Sequence, residues 1–186
     1  MKKRNRPKPL AAALPPDPEL LKLDLACGRN KRPGFLGVDC VGMEEVDQVV
    51  DLEAVPWPWP DASVGEAFSS HYVEHTPDLI GFMNELGRIL VPGGTATIIA
   101  PYYTSMRAWQ DPTHRRAISE ATFLYFNKGW RTSQRLDHYP ITCDFDYTFG
   151  YAVNPTWATR SQEARVFAIR HYFNAVDDLH VMLTKR

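Results

Sequence analysis

Residues suited to ligand binding follow several short apolar segments in the first part of the chain. Each segment is a predicted strand, and ligands bind at the sheet edge where the carboxyl ends of parallel strands meet. A glycine there lets the backbone turn sharply close to a ligand, and a carboxylate can accept the hydroxyls of a ribose. The residues at these ends are Cys27 and Gly28 after 20–26, Asp39 after 35–38, Asp51 after 46–50, and His71 after 64–70. The series predicts an adenosine-type ligand, with its ribose on Asp39 and its adenine amino group near Asp51.

These strand ends lack a phosphate-binding loop. The dinucleotide fingerprint G-x-G-x-x-G is absent, because Ala26, Gly28 and Lys31 occupy its three glycine positions. A nucleotide-dependent enzyme of another kind is therefore a disfavoured alternative. Taken singly, Asp39 or Asp51 is more often a turn residue than a ligand. It is the ordered series that indicates a site.

The segment His71–His75 has the form H-x-x-E-H, which is the inverted zinc-protease motif. That motif requires a helix that places both histidines on one face, together with a third ligand. Pro77 leaves barely one turn after the predicted strand, so the protease interpretation is disfavoured. We expect no metal here, and we expect Glu74 and His75 to order the loop beside the ligand.

A second segment that could do chemistry is Asp111-Pro112-Thr113-His114. Asp and Pro at the first two positions favour a type I turn, which brings the fourth residue within about 7 Å of the first. Asp111 could then orient the ring of His114, leaving its other nitrogen to accept a proton from an acceptor. The alternative is that Asp111 only bonds the backbone amides of Thr113 or His114 and holds the loop.

Trp57 and Trp59 alternate with prolines in Pro56–Pro60 and admit two interpretations. Their rings could stack on a base or hold a partner. They could instead pack against the sheet from a stiff loop, and this second interpretation is favoured.

The elements that must position these residues alternate between strands and helices. The clearest helix is predicted over Pro77–Leu90, where an apolar stripe recurs at helical spacing and Thr76 could cap the first turn. Pro92-Gly93-Gly94 ends it and leads to a strand over 95–100. Further predictions are a loop over 101–118, helices over 119–127 and 161–173, and strands over 143–153 and 176–184. This order predicts an α/β fold, a doubly wound seven-stranded mostly parallel sheet.

Four stretches of the chain resemble the class I S-adenosylmethionine-dependent methyltransferases. The last of them, R-x-L-x-P-G-G with the strand after it, is the most specific. The stretches are Leu23–Gly28 for the first motif, usually D-x-G-x-G, Val38-Asp39 for the ribose acid, Asp51-Leu52 with Pro56-Trp57, and Arg88–Gly94 with 95–101. The resemblance covers roughly residues 20–101 and implies a Rossmann-like methyltransferase fold.

The resemblance also implies the cofactor and a variant of the family. Ala26 replaces the first glycine of the first motif and Asn30 the last, and the short spacing after Gly28 reduces the usual first helix to a turn. Compact methyltransferases of type 11 have similar 30–35 segments, and D-P-x-H segments like 111–114. The implied cofactor is S-adenosylmethionine, and the residues assigned to it are Asp24, Ala26, Gly28, Asp39, Asp51, Leu52 and His71.

Composition limits the partners. Lysine plus arginine number 21 against 22 acidic residues, and five of the basic residues precede the first acid. The body is therefore mildly acidic and a poor nucleic-acid platform, whereas residues 1–19 are predicted to be a flexible, basic, proline-rich leader to one domain over 20–186.

No apolar run approaches the about 20 residues of a membrane span. The cysteines are odd in number and widely spaced: Cys27, Cys40 and Cys143. This spacing indicates a reducing, cytoplasmic compartment.

The sequence as a whole predicts a methyltransferase that acts on a small-molecule or carbohydrate-like acceptor, with His114 and Asp111 on the acceptor side. Membrane association is not expected, and the sequence does not indicate the oligomeric state. The alternative is a non-catalytic domain on the same fold that binds S-adenosylmethionine or a protein partner.

Overall fold

Within residues 20–186, seven strands form one mixed sheet in the order β3-β2-β1-β4-β5-β7-β6. The computed structural model describes residues 20–186, so the predicted leader 1–19 lies outside the described residues. The strands are β1 Leu21–Leu25, β2 Leu36–Asp39, β3 Gln48–Val49, β4 Val64–Ser70, β5 Leu90–Pro101, β6 Phe145–Val153 and β7 Val176–Lys185. Neighbours from β3 to β5 are parallel, and only β7 runs antiparallel to both of its neighbours. The predicted α/β, mostly parallel, seven-stranded fold is confirmed.

The helices are α1 Leu79–Ile89, α2 Arg107–Gln110, α3 Lys128–Ser133, α4 Pro155–Ala158 and α5 Gln162–His171. The predicted stripe on α1 is confirmed, since Phe82, Met83, Leu86 and Ile89 are buried. They pack in the same core as alternate residues of the central strands, among them Leu23, Leu25, Ala67, Ile98 and Val181. Burial of these apolar side chains fixes the register of the central strands, because a slip of one residue would expose them.

α1 begins at Leu79, two residues after the predicted start at Pro77, and its predicted cap is wrong. Asp78, rather than Thr76, caps the helix, with its Oδ1 accepting a hydrogen bond from the Gly81 N–H at 2.9 Å. Thr76 is buried, and its carbonyl accepts a hydrogen bond from the Arg116 guanidinium. Thr76 is thereby held in the loop that leads from β4 to the helix.

Two other boundaries also differ from the prediction. β5 begins at Leu90 rather than Thr95. The Pro92-Gly93-Gly94 segment lies within the strand, where the pairing with β4 shifts register between Val64–Leu90 and Glu66–Thr95. The predicted helix over 119–127 is a 3₁₀ helix, Glu120–Phe126. Its buried side chains, Phe123 and Phe126, are three residues apart, which is the period of a 3₁₀ turn.

The predicted reduction of the first helix is confirmed. Residues 26–35, all of them described, contain turns but no helix. The buried carboxylate of Asp24 accepts a hydrogen bond from the Arg32 N–H at 2.6 Å, and Lys31 forms a 3.0 Å ion pair with Asp47. The Arg32 guanidinium lies 4.6 Å from the centre of the Phe68 ring. These contacts hold the short connection and hence the start of β2.

The tryptophan loop packs as the favoured interpretation predicted. Trp57 and Trp59 are 3% and 5% exposed, and their rings meet edge to face. The Arg88 guanidinium donates hydrogen bonds to both of their carbonyls, at 3.1 and 2.8 Å. The arginine of the R-x-L-x-P-G-G stretch therefore holds the connection between β3 and β4. Within 20–186, no helix has the length and apolar character needed to cross a membrane.

Candidate functional site

A cavity of about 480 Å³ opens at the carboxyl ends of β1 to β4. This volume lies within the range of about 300–1,000 Å³ that is usual for small-ligand sites. Four residues predicted from the sequence line it: Ala26, Asp39, Asp51 and Leu52. Cys40, Val50, Glu53 and Tyr72 complete the lining. We call this space the strand-end cavity.

Asp39 is held in one orientation by the backbone around it. Its Oδ2 accepts a hydrogen bond from the Gly28 N–H at 3.0 Å, and its Oδ1 accepts one from the Val41 N–H at 3.1 Å. A carboxylate has about four acceptor positions, so roughly two stay free for a ligand. A fixed carboxylate with spare acceptor positions suits a vicinal diol such as a ribose. Gly28 itself contributes through this bond and does not line the cavity.

The turn after β1 uses a backbone conformation that favours glycine. Gly28 has φ +53°, and Ala26, which stands where the family has its first glycine, has φ 58°. A left-handed conformation costs a residue with a Cβ about 1–2 kcal/mol. Such strain is retained where the surrounding structure determines the backbone, and it clusters at functional sites. Ala26 therefore adopts a left-handed conformation that glycine adopts more readily.

Asp51 and Leu52 form the adjoining wall of the cavity. Asp51 Oδ1 accepts a hydrogen bond from the Glu53 N–H at 2.9 Å, which closes a small turn and leaves its second oxygen free of described partners. The Leu52 side chain is buried, and Trp57 Nε1 donates to its carbonyl at 3.1 Å. On the facing side stands Tyr72, whose pKa is raised to about 12 by burial. An apolar surface beside one free carboxylate oxygen suits a flat base with an amino group.

Besides Gly28, two residues predicted to bind the cofactor lie outside the cavity lining, namely Asp24 and His71. Asp24 is buried under the β1–β2 turn, where its carboxylate binds the Arg32 N–H. Burial raises the pKa of Asp24, while that hydrogen bond and the charge of Arg32 oppose the shift. His71 ends β4 with φ 56°, and its Nδ1 lies 3.4 Å from Oε1 of Glu74. The nearby Glu74 carboxylate raises the pKa of His71.

A second group of polar side chains forms where the loop after β4 meets the loop after α2. One ligand atom each of Glu74, His75 and His114 lies within 4.8 Å of the others, and the two imidazole rings meet edge to face at 4.6 Å. We call these three residues the histidine cluster. Their donor set, two imidazoles and a carboxylate, is the one in this region that could hold a metal ion. The helix that the H-x-x-E-H protease motif requires is not formed, since 71–78 consists of turns and bends.

The predicted turn at Asp111 is confirmed, and of the two interpretations the structure shows the second, in which the Asp111 carboxylate bonds the backbone amide of Thr113 and not the ring of His114. The His114 N–H donates to the Asp111 carbonyl at 3.2 Å, which closes the turn. The Asp111 carboxylate instead accepts hydrogen bonds from the backbone and hydroxyl of Thr113, at 2.8 and 2.7 Å. Those two bonds lower the pKa of Asp111. The ring of His114 is oriented by the Ala108 carbonyl, 3.1 Å from its Nδ1.

A second cavity, of about 500 Å³, lies beyond the end of β5, beside β6 and α5. Tyr102 and Tyr103 follow β5 directly, and Tyr151 comes from β6. The cavity is lined by aromatic, aliphatic and charged side chains: Tyr102, Tyr103, Glu120, Phe149, Tyr151, Val166, Ile169 and Arg170. We call this space the aromatic cavity. The sequence placed Tyr102 and Tyr103 only in the loop predicted over 101–118, because no local signal shows that β6 returns beside them.

The comparisons with known proteins come from a family model and from solved structures. Residues 17–98 match the methyltransferase domain family Methyltransf_11. The curated proteins contain no sequence that matches this chain significantly. Among solved structures, a SAM-dependent methyltransferase from Archaeoglobus fulgidus is 19% identical, with a TM-score of 0.59 over 89% of this chain and 86% of that one.

Two further structures show the same fold at low identity. A S-adenosylmethionine-dependent methyltransferase from Mesorhizobium loti is 15% identical with a TM-score of 0.54, over 92% and 94% of the two chains. Geranyl diphosphate C-methyltransferase from Streptomyces coelicolor, solved with S-adenosyl-L-homocysteine, is 15% identical with a TM-score of 0.55, over 90% and 74%. The family match over residues 17–98 and the shared fold agree with the resemblance predicted from the motifs: this stretch of the chain is similar to the methyltransferase domain family, and its fold is the one found in S-adenosylmethionine-dependent methyltransferases.

Proposed function

We propose that the protein transfers the S-methyl group of S-adenosylmethionine to a small-molecule or carbohydrate-like acceptor. The observation that carries the proposal is the strand-end cavity, with the fixed Asp39 carboxylate and the free oxygen of Asp51 on its lining. Bound S-adenosylmethionine supplies an electrophilic methyl group. The protein therefore has mainly to align an acceptor with that group and to exclude competing geometries.

The residues of the cavity divide this binding task between them. Asp39 would accept the ribose hydroxyls with the acceptor positions that Gly28 and Val41 leave open. Asp51 would accept the adenine amino group while Leu52 and Tyr72 provide apolar surface for the base. The absence of a phosphate loop from this turn is consistent with a ligand that has no phosphates.

The aromatic cavity supports the acceptor part of the proposal. It lies at the same carboxyl edge of the sheet, because Tyr102 and Tyr103 directly follow β5. Aromatic faces pack against the apolar faces of a sugar ring, while Glu120 and Arg170 offer an acceptor and donors for hydroxyl groups. One carboxylate oxygen of Glu120 is buried without a partner among the described residues, which favours a polar ligand in this cavity.

His114 is the proposed general base. The Ala108 carbonyl can only accept a hydrogen bond, so the neutral ring carries its proton on Nδ1 and presents a lone pair at Nε2. Asp111 contributes at a distance, by holding the Thr113 turn in which His114 stands.

The test is transfer of a labelled methyl group from S-adenosylmethionine to pooled acceptors, divided into sugars, other hydroxyl compounds and amines. We expect label in a hydroxyl pool, and we expect the Asp39→Ala variant to need more cofactor for the same rate. Glu44→Ala is the matched control, because Glu44 is an exposed acid of the neighbouring loop. Binding of S-adenosylhomocysteine without turnover on any pool would favour the alternative of a non-catalytic domain. Label confined to the amine pool would contradict the carbohydrate-like acceptor.

A further inference from the structure

Glu74 is a buried carboxylate without an adequate partner. The residue is 1% exposed, and neither of its carboxylate oxygens accepts a hydrogen bond from the described residues. The nearest cationic group is His71, at 3.4 Å from Oε1, which is long for a charge-assisted hydrogen bond. A buried charge is costly unless it is paired or coordinates a metal. Glu74 therefore needs a cationic partner, and its neighbours in the histidine cluster are His75 and His114.

One neighbour, His75, has its tautomer fixed by a relay of two hydrogen bonds. The hydroxyl of Thr113 has one proton, which it donates to Asp111 Oδ1 at 2.7 Å. The Thr113 oxygen, 2.9 Å from His75 Nδ1, must therefore act as the acceptor of a proton on that nitrogen. The other ring nitrogen, Nε2, then carries the lone pair in neutral His75.

The other neighbour, His114, reaches the same state by a different route. Its Nδ1 lies 3.1 Å from the Ala108 carbonyl, which has no proton to give. Both imidazoles of the cluster are thus held as Nδ1–H tautomers by neighbours that are not ligands. A carboxylate, hydroxyl or carbonyl on the far nitrogen is what orients histidines that bind metals, and it also raises their basicity.

We propose that Glu74, His75 and His114 bind one divalent transition-metal cation, with zinc as the reference ion. Two imidazole nitrogens and one carboxylate oxygen are donors that Zn²⁺ and its neighbours accept, and three protein ligands leave a coordination position open. Ligands about 2.1 Å from zinc lie about 3.4 Å apart in a tetrahedron. The present spacing, within 4.8 Å, requires only a small closure of the two loops.

This site is different from the one that the H-x-x-E-H motif suggests. The protease pattern would use His71 and His75 from one helix, whereas the cluster takes its second histidine from a loop 39 positions further along the chain, at His114. The proposal departs from the expectation that no metal binds here. It does not rest on the proposed function, because metal binding is measured without cofactor or acceptor. A cation on His114 Nε2 would use the lone pair assigned to the general base, so one histidine cannot serve both roles at once.

The experiment begins by removing metals from the untagged protein with a chelator. The metal-free protein is then titrated with zinc in a calorimeter. We expect one equivalent to bind, and we expect Glu74→Gln and His114→Ala each to weaken binding by at least about 100-fold. Thr113→Val removes the acceptor for His75 Nδ1 together with the hydroxyl's bond to Asp111, and it should weaken binding by about 10–100-fold. Co²⁺ in place of zinc should give visible absorption bands that His114→Ala abolishes.

Three controls keep the result specific to the cluster. His138→Ala and His171→Ala remove exposed histidines outside the cluster and should leave zinc affinity unchanged. Titration of every variant with S-adenosylhomocysteine shows whether the fold is intact, and Thr113→Val serves if Glu74→Gln fails to fold. Failure of one equivalent to bind, or binding by Glu74→Gln and His114→Ala equal to that of wild type, would overturn the proposal. So would a His71→Gln variant that loses zinc while His114→Ala keeps it.

Discussion

The strand-end cavity and the histidine cluster stand at the same edge of the sheet but are built in different ways. The cavity is lined by residues at strand ends, and its key acid, Asp39, is held by backbone N–H groups of its own strand end and of the neighbouring one. The cluster depends on contacts between two loops, such as the one from Thr113 to His75, which are 38 positions apart. A site of the first kind can be predicted from local sequence. A site of the second kind forms only when tertiary folding brings its two loops together.

The largest effect is expected from His114 in the histidine cluster. As the proposed base, it should contribute about 10²–10⁴-fold to the rate, so His114→Ala should lose that factor in single-turnover transfer at saturating cofactor. Affinity for S-adenosylhomocysteine should not change, because His114 does not line the strand-end cavity. His138→Ala, an exposed histidine, is the matched control. A rate within a few-fold of wild type would leave His114 without a catalytic role.

A substitution that shifts the backbone of β2 should distort the strand-end cavity. It should not change the loops that form the histidine cluster. A Cβ at Gly37 would lie 2.6 Å from the Glu45 carbonyl oxygen, so Gly37→Ala must shift β2 or the loop before β3. We expect about 1–3 kcal/mol lower free energy of unfolding by urea denaturation, together with weaker cofactor binding. In Gly150→Ala the new methyl meets nothing within 4 Å, and stability should be nearly unchanged. Equal stability of the two variants would show that the close approach at Gly37 is relaxed in solution.

The smallest effect concerns His71, which faces Glu74 and Asp178 as well as Arg107. Glu74 raises the pKa of His71 in the folded protein, so the stabilisation is complete below about pH 6.5 and is lost as the pH rises through the folded pKa. The side chain is 44% exposed, so screening should keep the effect below about 1 kcal/mol. Urea denaturation should show a larger difference between wild type and His71→Gln at about pH 5.5 than at about pH 8.5. A difference that grows with pH would contradict this sign.

Much of the fold and of the cavity could be predicted because the relevant signals are local. Apolar segments that end at Asp39 and Asp51 mark strands whose ends meet, and the spacing of Phe82, Met83 and Leu86 marks α1. The helix cap was misassigned to Thr76 because two polar residues near the helix start compete for that role. Burial of Thr76 and its bond to Arg116 decide the competition, and both depend on tertiary contacts.

The histidine cluster could not be predicted because its residues belong to two separate motifs. His71–His75 suggested a zinc site on one helix, and Asp111–His114 suggested a base with its own acid. The structure instead joins Glu74 and His75 to His114 and assigns the Asp111 carboxylate to Thr113. Nothing in the spacing of either motif specifies that the two loops pack together.

The most direct test of the central claim is calorimetric titration of the full-length chain with S-adenosylhomocysteine. We predict one binding site, and we predict that Asp39→Ala weakens binding by roughly ten- to a hundredfold, because a charge-assisted hydrogen bond to ribose contributes about 1.5–3 kcal/mol. Glu44→Ala is the control for the loss of one acidic charge nearby. Circular dichroism of Asp39→Ala checks that the β1–β2 turn survives the loss of its bond to Gly28. Absence of binding in wild type, or an Asp39→Ala affinity equal to that of wild type, would contradict the assignment of this cavity to the cofactor.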